Sequence, residues 1–213
     1  MDILDSIKIE HIWSNNLFSQ KSIALKLGIW DNLTDEEKSY YERITPYEAR
    51  LNDCDFEGYF EEEAVYGEIT KDGVFELNKH VKSCDGVFYD IGSGNGKLLL
   101  QMALLSDFER YVGIEIEKIR YLYSMDIKNQ IGIESASFIN DDVLNVDISD
   151  AGFIFLSDVM FKEDMRNRIF QMIPVGCIFV AFHEFGHCDF LGGIELEVEW
   201  MASKVPFKLY RKK

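Results

Sequence analysis

The stretch Asp90-Ile91-Gly92-Ser93-Gly94-Asn95-Gly96 constrains this chain more than any other. An apolar run over 87–90 leads into it, and a helix-patterned run over 96–105 leads out. Glycines at a strand-to-helix turn let the backbone bend tightly and let a ligand come close to it. The helix start behind them presents unpaired N–H groups to a carboxylate or phosphate. The dinucleotide fingerprint G-x-G-x-x-G is not met: Gly92 and Gly94 match, but Lys97 stands where the last glycine belongs. The turn predicts a parallel α/β sheet with a small-molecule site at its strand ends.

The rest of the chain agrees with that fold. Strands are expected at 87–90, 111–115, 136–140, 152–156 and 177–182, with helices at 96–105, 117–131 and 162–172. The segments 195–200 and 205–210 alternate apolar and polar residues and read as a terminal antiparallel hairpin. Upstream, Ile3, Leu4, Ile7, Ile12, Trp13 and Leu17 recur at a helical period. A short helix over 22–29 stops near Gly28. Thr34 and Glu37 form a capping-box pattern that opens a helix through about residue 44, and Pro46 punctuates it. A further helix is expected over 72–81. The expected fold class is α/β: a doubly wound, mainly parallel, seven-stranded sheet with a C-terminal antiparallel hairpin. A helical N-terminal lobe, 1–60, precedes the sheet domain, 61–213.

Charge narrows the partners. The 213 residues hold 38 acidic and 22 basic side chains, a formal net charge of −16. That balance opposes broad nucleic-acid binding, which depends on Lys and Arg displacing counterions from phosphates. It favours a basic partner. Residues 53–63 carry Asp53, Asp55, Glu57, Glu61, Glu62 and Glu63 with no Lys or Arg, and read as a solvated loop. The tail is the reverse: Lys204, Lys208, Arg211, Lys212 and Lys213, with no acid after Glu199. Hydrophobic residues at 47% and aromatics at 14% exclude global disorder. Cys54, Cys84, Cys177 and Cys188 form no C-x-x-C pair, and the N-terminus lacks a basic, apolar leader. An intracellular protein with reduced thiols is expected, without membrane spans.

Three acids then stand at successive strand ends: Asp90, Glu115 and Asp142. With the glycine loop they resemble the cofactor site of class I S-adenosylmethionine-dependent methyltransferases. The resemblance implies that Asp90 and the loop glycines Gly92, Gly94 and Gly96, with Ser93, approach the methionine part of S-adenosylmethionine. Glu115, 19 residues beyond Gly96, is placed to accept both ribose hydroxyls with its two oxygens. Asp142 would accept from the adenine amino group, with Val143 against the ring.

Tyr66-Gly67-Glu68 and the sequence Leu98-Leu99-Leu100-Gln101-Met102-Ala103 narrow the family. Together with the glycine loop they resemble the disruptor-of-telomeric-silencing family, histone-lysine methyltransferases without a SET domain. The resemblance makes Tyr66, Gly67, Glu68 and Ile69 a loop over the cofactor's methionine part. Val198-Glu199-Trp200 and Val205-Pro206-Phe207 are similar to the family's final hairpin, and imply that Trp200 and Phe207 line a lysine channel. Phe207 replaces an expected tyrosine. Two further departures stand out. Ser157-Asp158-Val159-Met160-Phe161 replaces an Asn-Asn-Phe-type segment beside the methyl donor, and Lys97 replaces a glutamine.

The chemistry implied is direct displacement at the sulfonium methyl, with nitrogen, methyl and sulfur held in line and water excluded. A lysine must first lose a proton from an ordinary pKa near 10.4. An apolar channel and the neighbouring sulfonium both lower that value, so no strong general base is required. Phe161, Trp200 and Phe207 are the expected walls; Ser157 and Asp158 are the expected polar orienters, Ser157 also bordering the cofactor. The substrate implied is a basic protein, histone or nucleosome, with the basic tail touching phosphate. In a eukaryotic source the protein would be nuclear, otherwise cytoplasmic. Transfer to another protein or a small molecule, and cofactor binding without catalysis, are the alternatives.

One motif competes. His183-Glu184-Phe185-Gly186-His187 matches H-E-x-x-H, which on a helix would hold zinc with Glu184 as base. It follows directly on a strand and contains Gly186, so a loop at the substrate side is expected, with no metal.

Overall fold

The computed structural model describes residues 2–15, 20–43, 67–81 and 85–213. Leu17, the acidic stretch 53–63, Tyr66, Cys54 and Cys84 lie outside the described residues.

Seven strands form one sheet in the order β3-β2-β1-β4-β5-β7-β6. They are β1 (Val87–Ile91), β2 (Arg110–Ile114), β3 (Ala136–Ile139), β4 (Ala151–Leu156), β5 (Ile178–Ala181), β6 (Cys188–Leu196) and β7 (Val205–Lys212). The first five run parallel, and β7 runs antiparallel to both β5 and β6. This is the expected sheet. Every residue of β1 is buried, as a strand covered on both faces requires.

The helices are α1 (Ile3–Ser14), α2 (Gln20–Lys26), α3 (Asp35–Arg43), α4 (Lys71–Asn78), α5 (Lys97–Leu105), α6 (Lys118–Ile131) and α7 (Glu163–Met172). The capping box forms: Thr34 Oγ1 accepts from the Glu37 N–H, and the Glu37 carboxylate accepts from the Thr34 N–H. Thr70 caps α4 through the Gly73 N–H.

The two faces are covered unequally. On one, residues of α1 to α6 join Phe88, Phe153, Phe155 and Phe207 in a single cluster. On the other, among the described residues, α7 is the α-helix that contributes to the cluster of Val87, Tyr89, Ile154 and Phe179. The crossover from β5 to β6, residues 182–187, contains no helix. Its Phe185 packs against Phe170, Phe179 and Tyr210 in place of one.

The helical period over 3–13 is realised in α1, where Ile3, Leu4 and Ile7 are exposed and Ile9 and Ile12 are buried. The C-terminal part of α1 is the anchored part, where Trp13 Nε1 donates to Gln101 Oε1 of α5 at 2.5 Å. The expected hairpin is displaced: β6 starts at Cys188 and ends at Leu196, so Glu197, Glu199 and Trp200 fall in the connection to β7. No helix among the described residues is long and apolar enough to cross a membrane.

Candidate active site

Parallel strands bring β1, β2, β3 and β4 to one edge of the sheet, and the polar residues of interest follow their carboxyl ends. Gly92, Gly94 and Gly96 all have positive φ, so the turn after β1 uses backbone that side chains disfavour. Gly96 is doubly constrained. It caps α5 in the left-handed region, and a Cβ there would meet Phe138 Cζ at 2.5 Å.

Asp90 is 3% exposed, and no described group donates to its carboxyl. Burial first, then the charge of Glu115, pushes its pKa up to about 8. Ser93 Oγ is buried beside it without a hydrogen-bond partner. An unpartnered buried hydroxyl and a buried carboxyl at a glycine turn suit a polar ligand. Glu115 is also buried, and its carboxylate bridges the turn, accepting from the Gly94 N–H at 2.7 Å and the Glu117 N–H at 2.8 Å. Burial raises its pKa, while Arg120 and these hydrogen bonds lower it. Asp142 accepts from the Leu144 N–H at 2.9 Å, capping a short 3-10 turn in which Val143 is buried.

Sequence reasoning missed two residues here. Ile116 follows Glu115 and is 65% exposed, an apolar side chain left open beside the site. Asn140 Nδ2 donates to the carbonyls of both Glu115 and Ile116 and so fixes that turn. An isoleucine directly after a strand-end acid was the available signal.

The Gly67-Glu68-Ile69 segment lies against the connection between β6 and β7. Ile69 bridges Val198, the Glu199 N–H donates to the Glu68 carbonyl, and the Thr70 N–H donates to the Glu197 carbonyl. Gly67 sits under the Trp200 ring, where a Cβ would come within 2.5 Å of Cε3. Two segments expected separately to border the cofactor and the channel are therefore in contact. Glu68 is buried and pairs with the buried Lys97 at 2.6 Å. The replacement at position 97 thus supplies a cation to Glu68. Desolvation first, with the charge of Glu68 next, pushes Glu199 up to about 7.

The segment after β4 folds as a 3-10 turn over Asp158–Met160. Phe161, at its end, faces the glycine loop: a Cβ on Gly92 would lie 3.7 Å from its Cζ. Ser157 is half-buried and its hydroxyl makes no hydrogen bond to a described residue. Asp158 and Phe207 are corrections. Asp158 is fully buried and accepts from the Phe182 N–H at 2.7 Å and from the His183 N–H and ring, so its carboxylate is turned toward the β5 end. Phe207 is also fully buried, packed on Phe155 and Phe182 in the core. It is not a channel wall, because alternation along β7 points it into the apolar face.

The H-E-x-x-H sequence is not helical. Residues 182–187 form a loop, and His187 has a φ of 57°. Among the described residues no group of three or more His, Cys, Asp or Glu could hold a metal ion.

The sheet order, the glycine turn and the acids at the carboxyl ends of β1, β2 and β3 define a class I S-adenosylmethionine-dependent methyltransferase fold. Solved structures share it. An RNA methyltransferase from Salinibacter ruber, in complex with S-adenosyl-L-homocysteine, is 20% identical over 68% of this chain and 94% of its own, with a TM-score of 0.55. A putative S-adenosyl-L-methionine-dependent methyltransferase from Methanococcus maripaludis is 16% identical over 66% and 84%, with a TM-score of 0.52. TYW2 from M. jannaschii, in complex with AdoMet, is 11% identical over 68% and 79%, also at 0.52. No curated protein matches by sequence. The family model for the histone methylation protein DOT1 matches residues 40–191, more than two thirds of the chain. The chain belongs to the DOT1 family, and its cofactor is S-adenosylmethionine. The orphaned Ser93 hydroxyl, the buried Asp90 carboxyl and the open Ile116 fit such a group.

Proposed function

We propose that this protein is a protein-lysine N-methyltransferase acting on a basic protein, with histone as the substrate class. The contact of Gly67 with Trp200 carries the reading. It joins the segment that would cover the cofactor's methionine part to the aromatic that would wall a lysine channel.

In this reading Asp90, Ser93 and the loop N–H groups hold the methionine part, Glu115 the ribose, and Ile116, Asp142 and Val143 the adenine. The bound group supplies an electrophilic methyl on a sulfonium. Phe161 and Trp200 exclude water, and Ser157 orients the incoming amine. The acidic surface attracts the basic substrate. A net charge of −16 supports free basic protein over DNA-wrapped histone, because DNA needs a more cationic face.

Labelled cofactor, supplied with free histones, nucleosomes or lysate, tests this. Label on histone lysine supports it. Label only on small molecules or on other proteins supports a different acceptor, and cofactor binding without label in any fraction refutes catalysis.

A further inference from the structure

We propose that His183, held by Asp158, is the base that takes the proton from the target ammonium. The inference rests on the methyltransferase reading and adds a residue to it.

The geometry begins at β4 and β5, which pair in parallel with Leu156 opposite Ala181. Asp158 and His183, each two residues beyond that pair, therefore meet at the same sheet edge. Asp158 is fully buried, and its Oδ1 accepts the Phe182 N–H at 2.7 Å. Its Oδ2 lies 3.1 Å from His183 Nδ1. A carboxylate already accepting backbone N–H groups offers the ring an acceptor, which places the ring proton on Nδ1 and leaves a lone pair on Nε2. The His183 side chain is 33% exposed, so that lone pair is open to an incoming group. The same short segment that carries Asp158 ends at Phe161, over Gly92 of the cofactor loop. One turn thus ties the imidazole to the methyl-donor side of the sheet.

The charges around the ring are few. Arg166 of α7 has its Nε 4.0 Å from Asp158 Oδ2 and is anchored by donating to the Phe161 carbonyl. Lys208 of β7 donates to the Phe182 carbonyl at 3.0 Å and lies 3.9 Å from the exposed Glu184. Arg166 and Asp158 thus meet on the Nδ1 side of the ring, and Lys208 is tied to the loop that carries it. With Phe207 absent from the channel wall, desolvation by aromatics has less to contribute, and an assisting base gains importance.

The step balances. His183 Nε2 accepts one proton from the lysine ammonium. The freed lone pair on nitrogen forms the N–C bond as the methyl's bond to sulfur breaks, and that electron pair stays on sulfur. The imidazolium then gives its proton to water.

The test is His183→Asn in the full chain, because asparagine Nδ2 can still donate to Asp158 while the base is lost. With free histones as acceptor, kcat is expected to fall ~10²–10⁴-fold. Cofactor affinity by calorimetry stays unchanged. The acid-side inflection of the wild-type kcat profile disappears, and imidazole partly restores His183→Ala. His187→Asn, at an exposed left-handed position that asparagine tolerates, keeps wild-type activity. His183→Asn within threefold of wild type, with the same pH profile, overturns the proposal. A wild-type protein that transfers nothing to histones overturns the functional reading and this proposal together, and is recognised because it appears without any substitution.

Discussion

Asp90 gives the sharpest quantitative expectation. Its carboxyl is buried, unpartnered and raised to about 8, with burial the larger cause and Glu115 the smaller. At pH 7 such a group is ionised in roughly one molecule in ten. A cofactor ammonium placed against it favours the charged form. Binding at pH 7 should therefore release ~0.8 proton per site, and affinity should rise about 25-fold from pH 6 to pH 8, where about half of the cofactor's own α-amino groups are already neutral. Above about 8 the cofactor's own α-amino group loses its charge, so the profile turns over. Calorimetry with S-adenosylmethionine in phosphate and in Tris measures the proton count directly, because the apparent enthalpy then differs between buffers. Asp90→Asn should abolish the release and flatten the profile below pH 7. A wild-type binding enthalpy independent of buffer would refute the placement of the ammonium against Asp90.

The sign carries over to stability. The folded-state pKa is raised above the ordinary 3.8, so the folded protein keeps a proton that the unfolded chain has lost. Through this group the cofactor-free protein loses stability as pH rises from about 4 to about 8. Asp90→Asn removes that slope in denaturant titrations, and saturating cofactor should oppose it in the wild type.

Three further outcomes are expected. Gly67→Ala forces the Trp200 ring aside, so the cofactor Kd should rise about tenfold, with ~1–3 kcal/mol lost in denaturant unfolding; unchanged affinity would separate the Trp200 contact from cofactor binding. Lys97→Met removes the cation from the buried Glu68 and should destabilise by ~3–5 kcal/mol, whereas Lys97→Met with Glu68→Met recovers most of the loss. Metal analysis of purified protein should find no stoichiometric zinc, and chelation should leave methyl transfer intact, because the described residues offer no ligand set.

The order of strands and helices was legible because each rests on local signals: apolar runs, a capping box at Thr34 and Glu37, and glycines at 92, 94 and 96. The acids at 90, 115 and 142 were legible for the same reason, since a strand end is a position in sequence. What escaped depended on direction. Alternation along β7 decides that Phe207 enters the core, and that needs the sheet's face assignment. Asp158 turns toward the β5 end because the Phe182 and His183 N–H groups there lack strand partners, which only the pairing of β4 with β5 reveals. His183 was visible solely as half of a zinc motif, since its partner is 25 residues away.

Lys97 shows what a departure from a family pattern can mean when its surroundings change with it. A lone lysine buried at the start of α5 would be costly, and here two neighbours compensate. Glu68 accepts its ammonium, and the Trp13 ring faces it at 5.3 Å. Trp13 in turn donates to Gln101, whose amide donates to the Lys71 carbonyl at the start of α4. The N-terminal helix is thereby connected to the segment that meets Trp200, through one ion pair and the side chains of Trp13 and Gln101. Removing Trp13 should then weaken cofactor binding even though α1 makes no part of the strand-end site. Trp13→Leu keeps an apolar side chain and loses both the ring face and the donor. A raised cofactor Kd with α-helical content unchanged by circular dichroism is the expected result, and an unchanged Kd would confine α1 to a structural role.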